Sequence, residues 1–274
     1  MIDLHLHTTA SDGLCSPREL VEQCRAAGLT RIAVTDHDTV AAVDEVGSIC
    51  AAAGLAFVPG IEITAIENGA DVHVLGYFVD AHSPALAEFL AHMRQNRVER
   101  VKKIAERLAE LGVPIDVSPL LEQASRNDGR TLGRPQVARA LIAAGHATDT
   151  NDAFERFLAK GRPAFIARAG ASVEDVIKVI HDARGLVSLA HPGLTEIDAR
   201  IPALCEAGLD AIEAYHSDHD PAMRDRYLDM ARRHGVLVTG GSDYHGDPAH
   251  GLSPGSVTLP REEWERLSAW QPRS

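Results

Sequence analysis

The chain has 274 residues, 45% of them hydrophobic and 24% charged, with a formal net charge of −12. That length suits one large domain or a domain carrying an insertion. The acidity argues against tight binding along an extended nucleic-acid backbone, which needs clustered Lys and Arg, and no apolar run reaches the ~18 residues of a membrane span.

The chain opens Asp3-Leu4-His5-Leu6-His7-Thr8, where charge and imidazole interrupt any apolar core, so no secretory signal is expected. Runs rich in Val, Ile and Leu predict strands over 2–7, 31–36, 56–64, 72–79, 186–190, 210–215 and 235–240. Helices are expected between most of them. One covers 17–27, with Ser16 as N-cap and Gly28 just past its end. Another covers 40–53 and stops at Gly54, and a third covers 172–183, with Ser172 as N-cap and Glu174 and Asp175 in its first turn. This alternation predicts an α/β fold built on a parallel barrel. Residues 83–165 break the rhythm: a long charged amphipathic segment, 85–111, ends at Gly112-Val113-Pro114, and shorter helical pieces follow. The expected organisation is a barrel made of 1–82 and 166–274, with 83–165 as a helical insertion after the fourth strand that caps the active site. Cys15, Cys24, Cys50 and Cys205 form no Cys-x-x-Cys pair, so a reduced, cytoplasmic setting is expected.

Most of these runs end in histidine or carboxylate. His5 and His7 are two apart, so an extended backbone turns both to one side. Asp36-His37-Asp38 follows the second run, Glu62 lies in the third, His73 in the fourth, His191 after the fifth, and Asp243 and His245 after the seventh. In a parallel α/β barrel, reactive groups gather at the carboxyl ends of the strands. Imidazole and carboxylate together suit divalent Mn, Fe, Co or Zn, and a carboxylate with two acceptor oxygens can bridge two such ions. Bridged cations lower the pKa of the water between them and hold phosphoryl oxygens. Two or three of them would also add roughly +4 to +6 locally, enough to draw an anionic substrate to an acidic protein.

The motifs His5-x-His7, Ser11-Asp12-Gly13, Thr35-Asp36-His37-Asp38, Gly60-Ile61-Glu62, His73-x-Leu75-Gly76, Ala190-His191-Pro192 and Gly241-Ser242-Asp243-x-His245 resemble, in this order, the PHP (polymerase and histidinol phosphatase) family of amidohydrolase-like metal enzymes. The resemblance implies a distorted (β/α)7 barrel with a helical insertion after the fourth strand and two or three divalent ions, Mn2+ first, with Fe2+, Co2+ or Zn2+ as alternatives. It implies that His5, His7, Glu62 and Asp243 surround one metal, that Asp12, His37 and His245 hold a second, and that Glu62, His73 and His191 hold a third. Glu62, His191 and Asp243 would form the catalytic metal-hydroxide site.

Leu132-Gly133-Arg134-Pro135-Gln136 and Phe157-Leu158-Ala159-Lys160-Gly161-Arg162-Pro163-Ala164 resemble a subgroup of that family acting on nucleotides. Gln136 stands where many of its members carry histidine. The implied reaction is hydrolysis of the 3′-phosphate of adenosine 3′,5′-bisphosphate to AMP and phosphate. Arg134 would clamp a phosphate, since a guanidinium binds phosphate oxygens bidentately. Lys160 and Arg162 are candidates for the second phosphate, and His216, in Tyr215-His216-Ser217-Asp218-His219, is a candidate for the substrate and the leaving oxygen. The expected partner is a small nucleotide, with short RNA or DNA oligonucleotides as the alternative and no membrane or obligate protein partner. Histidinol phosphate and a non-catalytic metal-bound module are weaker readings. The stretch 94–107 reads as a solvated helix face, and His82, His92, His146, His181, His234 and His250 as solvated side chains.

Overall fold

The computed structural model describes residues 1–125, 132–167, 170–195, 197–247 and 251–272. His250 lies outside them. The described chain divides into two compact units, Met1–Phe89 with Ala171–Ser274, and Leu90–Gly170.

The first unit holds a seven-stranded sheet in chain order: β1 (Ile2–Asp3), β2 (Arg31–Val34), β3 (Ala56–Glu67), β4 (Ala70–Tyr77), β5 (Leu186–Leu189), β6 (Ala211–Tyr215) and β7 (Leu237–Gly240). The sheet curls until its ends nearly meet. A parallel bridge joins Leu6 to Tyr244, and the His7 amide donates to the Tyr244 carbonyl at 3.0 Å. The fold is therefore α/β with a distorted (β/α)7 barrel. Leu4, Ile32, Ile61, Ile63, Val74, Leu75, Leu186, Val187, Leu189 and Ile212 are fully buried, as strands covered on both faces require.

The barrel is not wholly parallel. β3 and β4 pair antiparallel from Gly60↔Tyr77 to Glu67↔Ala70, and β4 pairs antiparallel with β5. The turn between β3 and β4 is Asn68-Gly69, with φ of 50° and 77°. That pair of left-handed residues makes a two-residue hairpin, which leaves no room for a crossover helix. β4 therefore runs against its neighbours, and His73, near its start, faces Thr64 just past Glu62. A residue early in a reversed strand thus shares the end where the other strands finish. β1 is also shorter than the expected 2–7: ladder pairing ends at Asp3 and resumes only as the bridge at Leu6.

Outside the sheet lie α1 (Pro17–Ala26) and α2 (Val43–Ala53), followed in chain order by α3 (Pro84–Glu110), α4 (Ser118–Ser125), α5 (Arg134–Ala143), α6 (Thr150–Ala153), α7 (Val173–Asp182), α8 (Ile201–Ala207), α9 (Pro221–His234) and α10 (Arg261–Ser268). Ser16 and Glu19 close a capping box on α1, and Ser172 with Asp175 does so on α7. α2 begins at Val43 rather than residue 40 and ends at Gly54 in the left-handed conformation.

The second unit has its own core. Val101, Ile104 and Leu108 on α3 pack with Val137, Ala138, Leu141, Phe157 and Leu158. The basic side chains of α3 are not simply a solvated face. Arg97 donates to the Leu132 carbonyl, Arg100 to Ile166 and Arg107 to Pro163. Each of these three guanidinium groups thus reaches a backbone carbonyl of a later segment, and Arg107 also pairs with Glu110 at 2.7 Å. Of the histidines read as solvated, His82, His92 and His234 are exposed, whereas His181 meets Asp210 at 2.8 Å and His146 meets the Pro114 carbonyl at 3.0 Å.

Gly241, at the seam between β7 and the first strand, has no space for a side chain. A Cβ there would sit 2.3 Å from the His5 amide nitrogen and 2.5 Å from the His5 Cβ. Gly241→Ala should lower stability by ~1–3 kcal/mol, the cost of overpacking a rigid seam. Urea unfolding checks this, and an unchanged midpoint would mean that the two strands are not held this close.

Candidate metal centre

Glu62 is the centre of the cluster. It sits on β3, is 1% exposed, and receives five imidazoles. His73 Nδ1 and His191 Nε2 lie 3.0 and 3.1 Å from Oε1. His5 Nε2, His7 Nε2 and His37 Nδ1 lie 3.3, 3.3 and 3.1 Å from Oε2. Its two oxygens thus face two different sets of donors, as a bridging carboxylate must.

Asp243 approaches from the other side of the seam. Its Oδ1 lies 3.2 Å from His5 Nε2 and 3.0 Å from His7 Nε2. Asp12, half exposed at 52%, meets His245 Nε2 at 3.3 Å and His37 Nε2 at 3.6 Å. The ring of His7 stacks on that of His245 with centroids 4.1 Å apart. The structure therefore gathers all nine residues expected as ligands. Their donor atoms fall into groups within 4.8 Å of one another: His5, His7, Glu62 and Asp243; His7, Asp12, His37 and His245; and His37, Glu62 and His73. The third group takes in His37, with His191 on the same oxygen of Glu62 as His73.

These residues fit divalent cations. Both ring nitrogens of His7, Nδ1 of His37 and of His191, and Oδ1 of Asp243 are buried without a hydrogen bond. Buried donor atoms without a hydrogen bond are costly unless another partner, such as a cation, lies among them. The ionisation of the groups points the same way. Burial drives the His37 imidazole down to about 3, against the pull of Glu62. Burial alone would raise Glu62, but His37, His73 and His5 outweigh it and hold the carboxyl well below its ordinary range. Burial would lower His245, yet its contact with Asp12 and the charge of Asp243 raise it to about 9. A divalent cation competes with that proton for the same lone pair.

Outer hydrogen bonds aim the donors. His245 Nδ1–H donates to the Asp243 carbonyl at 2.9 Å, which leaves Nε2 for the cluster. Buried Asp36 accepts from the Thr8 amide and hydroxyl, each at 2.7 Å, and from the Ser11 hydroxyl at 2.6 Å, fixing the turn between His7 and Asp12. Asp3 accepts from the Ser242 amide and hydroxyl at 2.9 and 2.6 Å and so anchors the residue before Asp243. Asp38 takes the Thr64 amide at 2.8 Å beside β3.

The sequence reading overlooked Glu213. It is fully buried on β6, with Oε1 2.9 Å from His5 Nδ1 and Oε2 2.8 Å from the His191 amide. The available signal was one carboxylate inside the apolar run Ala211-Ile212-Glu213-Ala214. His216 is buried at the edge of the cluster. Its Nδ1 accepts the Asp218 amide at 3.1 Å, so in the neutral ring the hydrogen is on Nε2, 3.4 Å from Asp243 Oδ2. That makes His216 a donor rather than a ligand.

The remaining expected residues belong to the second unit. Arg134 opens α5, donates to the Leu158 carbonyl at 3.4 Å, and has its guanidinium 5.6 and 5.8 Å from the rings of Phe154 and Phe165. Gln136 accepts the Gly133 amide at 2.9 Å and so caps that helix. Lys160 and Arg162 are exposed in the loop that follows Leu158.

Comparison with known proteins was consistent with this geometry. A model of the PHP domain matches residues 3–184. The chain is 34% identical over 251 residues to the 5′-3′ exoribonuclease Rnm of Escherichia coli, covering 89% of this chain and 84% of that one. It is 30% identical over 279 residues to the 3′,5′-nucleoside bisphosphate phosphatase of Chromobacterium violaceum, covering 98% and 96%. Among solved structures, a protein of Bifidobacterium adolescentis described as a metal-dependent phosphoesterase superposes with a TM-score of 0.83 at 35% identity, over 97% of this chain and 94% of that one.

Cations that bind only the folded cluster must raise its stability, by ~2.7 kcal/mol for a single site at a free concentration 100 times Kd. EDTA should therefore lower the thermal midpoint and added Mn2+ restore it. In Glu62→Gln, which removes the shared charge, Mn2+ should raise the midpoint far less. Equal shifts in the two proteins would take Glu62 out of the centre.

Proposed function

The chain belongs to the PHP family of metal-dependent phosphoesterases, and from that premise we propose that it removes the 3′-phosphate of nucleoside 3′,5′-bisphosphates, converting adenosine 3′,5′-bisphosphate to AMP and phosphate. The observation that carries the reading is Glu62, with separate sets of imidazoles on its two oxygens. Divalent ions held there would acidify the water between them and neutralise charge on the phosphoryl oxygens. Mn2+ is the proposed ion, with Fe2+, Co2+ or Zn2+ as alternatives, held by His5, His7, Glu62 and Asp243, by Asp12, His37 and His245, and by His73 and His191 with Glu62.

The chain's own residues supply the rest. Glu62, His191 and Asp243 surround the reacting phosphate. Arg134 binds it with paired N–H groups, which stabilises charge on its equatorial oxygens as the P–O3′ bond lengthens. Lys160 and Arg162 take the 5′-phosphate. These three roles rest on the motifs in which the residues stand. His216, with its hydrogen held on Nε2 by the Asp218 amide, hydrogen-bonds the leaving 3′-oxygen. A water oxygen joins phosphorus as the P–O3′ bond breaks, and the proton given up by that water leaves on the 3′-oxygen. A reducing, cytoplasmic setting is consistent with four free cysteines.

A 5′-to-3′ exonuclease acting on short RNA or DNA is the second reading, favoured by the 34% identity to the E. coli exoribonuclease. The small substrate is preferred for three reasons: the net charge of −12, aromatic residues at only 4%, which is poor in bases for stacking a long strand, and the end-to-end match to the bisphosphate phosphatase. Histidinol phosphate leaves the nucleotide-type motifs around Arg134 and Lys160 without a purpose. A non-catalytic module leaves the complete donor set without one.

Purified protein with Mn2+ should release phosphate from adenosine 3′,5′-bisphosphate with a higher kcat/KM than it cleaves a 5′-phosphorylated trinucleotide. The reverse order would make the exonuclease the principal activity. Arg134→Ala should lower kcat/KM tenfold or more, about 1.4 kcal/mol, with bound metal unchanged. Wild-type kinetics in that variant would remove Arg134 from substrate binding.

A further inference from the structure

We propose that Glu213 is a positioning residue that sets two of the metal-ligand histidines, His5 just after the first strand and His191 just after the fifth. The inference rests on the metal reading above and extends it to a residue outside the donor groups around Glu62.

Glu213 is fully buried, and its neighbours on β6, Ala211, Ile212 and Ala214, are buried and apolar. A buried carboxylate is unfavourable unless its oxygens are hydrogen-bonded. Here both oxygens are used, on two different segments of chain. Oε1 takes His5 Nδ1 at 2.9 Å, and Oε2 takes the His191 amide at 2.8 Å.

The first contact selects a tautomer. An ionised carboxylate only accepts, so Glu213 keeps a hydrogen on Nδ1 of His5, and Nε2 is the atom whose lone pair a bound cation would take. Nε2 is the atom that faces the centre, 3.3 Å from Glu62 and 3.2 Å from Asp243. A carboxylate behind an imidazole also raises its basicity and fixes its plane.

The second contact holds strained backbone. His191 has φ 24° and ψ 58°, a conformation unfavourable for a residue with a Cβ. Its Nε2 must reach Glu62 Oε1, 3.1 Å away, from that turn. A charged acceptor on the His191 amide opposes relaxation of the turn. β6 itself is irregular there, since its register against β7 shifts between Glu213 and Tyr215. Such a bulge re-aims a side chain toward a site.

Glu213→Gln is the test, because it keeps the shape and cannot keep both roles. If the amide oxygen accepts from His5, the NH2 meets the His191 N–H, donor against donor. If the amide turns over, its NH2 forces the His5 hydrogen onto Nε2 and removes the lone pair from the centre. Mn2+ binding is read by equilibrium dialysis with metal analysis, without reference to turnover, and far-UV circular dichroism reports folding. The expected result is a folded variant that binds Mn2+ about 10- to 100-fold more weakly, with activity partly recovered at high Mn2+ and KM for the nucleotide unchanged. Wild-type affinity in the variant overturns the inference and leaves the metal reading standing. A wild-type protein that binds no divalent ion overturns both. Should the variant fail to fold, 15N spectra of histidine-labelled wild-type protein loaded with Zn2+ decide: His5 must carry its hydrogen on Nδ1, and a hydrogen on Nε2 overturns the inference.

Discussion

One carboxylate surrounded by five imidazoles is the constraint from which the rest of the structure follows. Glu62 cannot satisfy five rings by hydrogen bonding, because its two oxygens offer about four lone-pair sites and the rings come from four different segments of chain. Such a cluster around a buried carboxylate is stable only if cations balance it, and only if the scaffold keeps the donors from moving apart. A closed barrel meets the second condition, since it brings both ends of the chain to one seam. His5 and His7 come from the first residues, and Asp243 and His245 from the last fifty or so; the bridge between Leu6 and Tyr244 joins them.

Behind the donors lies an outer set of buried carboxylates. Asp3, Asp36, Asp38 and Glu213 each accept hydrogen bonds from the segment that carries a donor, or from the donor itself. Bonds to a charged acceptor contribute more than neutral ones, about 1.5–3 kcal/mol each. That contribution is needed here. Asp38, His191 and Asp243 all have positive φ, at 52°, 24° and 53°, and such backbone costs of order 1–3 kcal/mol per residue. The strained residues are in or beside the cluster: Glu213 accepts the His191 amide, Asp3 accepts the Ser242 amide just before Asp243, and Asp38 gives its own amide to the Glu62 carbonyl. Stability and site geometry therefore depend on the same contacts.

Hydrogen-bond partners also divide the histidines by role. His5 and His245 give up Nδ1–H to oxygen and turn Nε2 inward, where a cation would take its lone pair. His216 receives an amide N–H on Nδ1 and turns a donor inward instead. Identical side chains thus present opposite chemistry to one pocket, according to whether the group behind the ring is a donor or an acceptor. Sequence motifs treat these histidines alike.

The separation between sequence and tertiary structure follows from range. The residue order by itself determined the apolar runs that become strands, the Ser16 and Ser172 caps, the stop at Gly54, and the donor residues in their family order, because each depends on neighbours a few positions away or on a motif read directly. Asn68-Gly69 also stood in the sequence as a hairpin turn, and it reverses β4 and corrects the wholly parallel barrel. Only the folded chain decided which residues face one another: that His73 reaches Glu62 from the start of a reversed strand, that Arg97, Arg100 and Arg107 serve backbone carbonyls, and that Glu213 stands behind His5, more than two hundred residues away in the chain. Hydrogen-bond direction and the tautomer it selects are properties of pairs in space, and no local pattern along the chain encodes them.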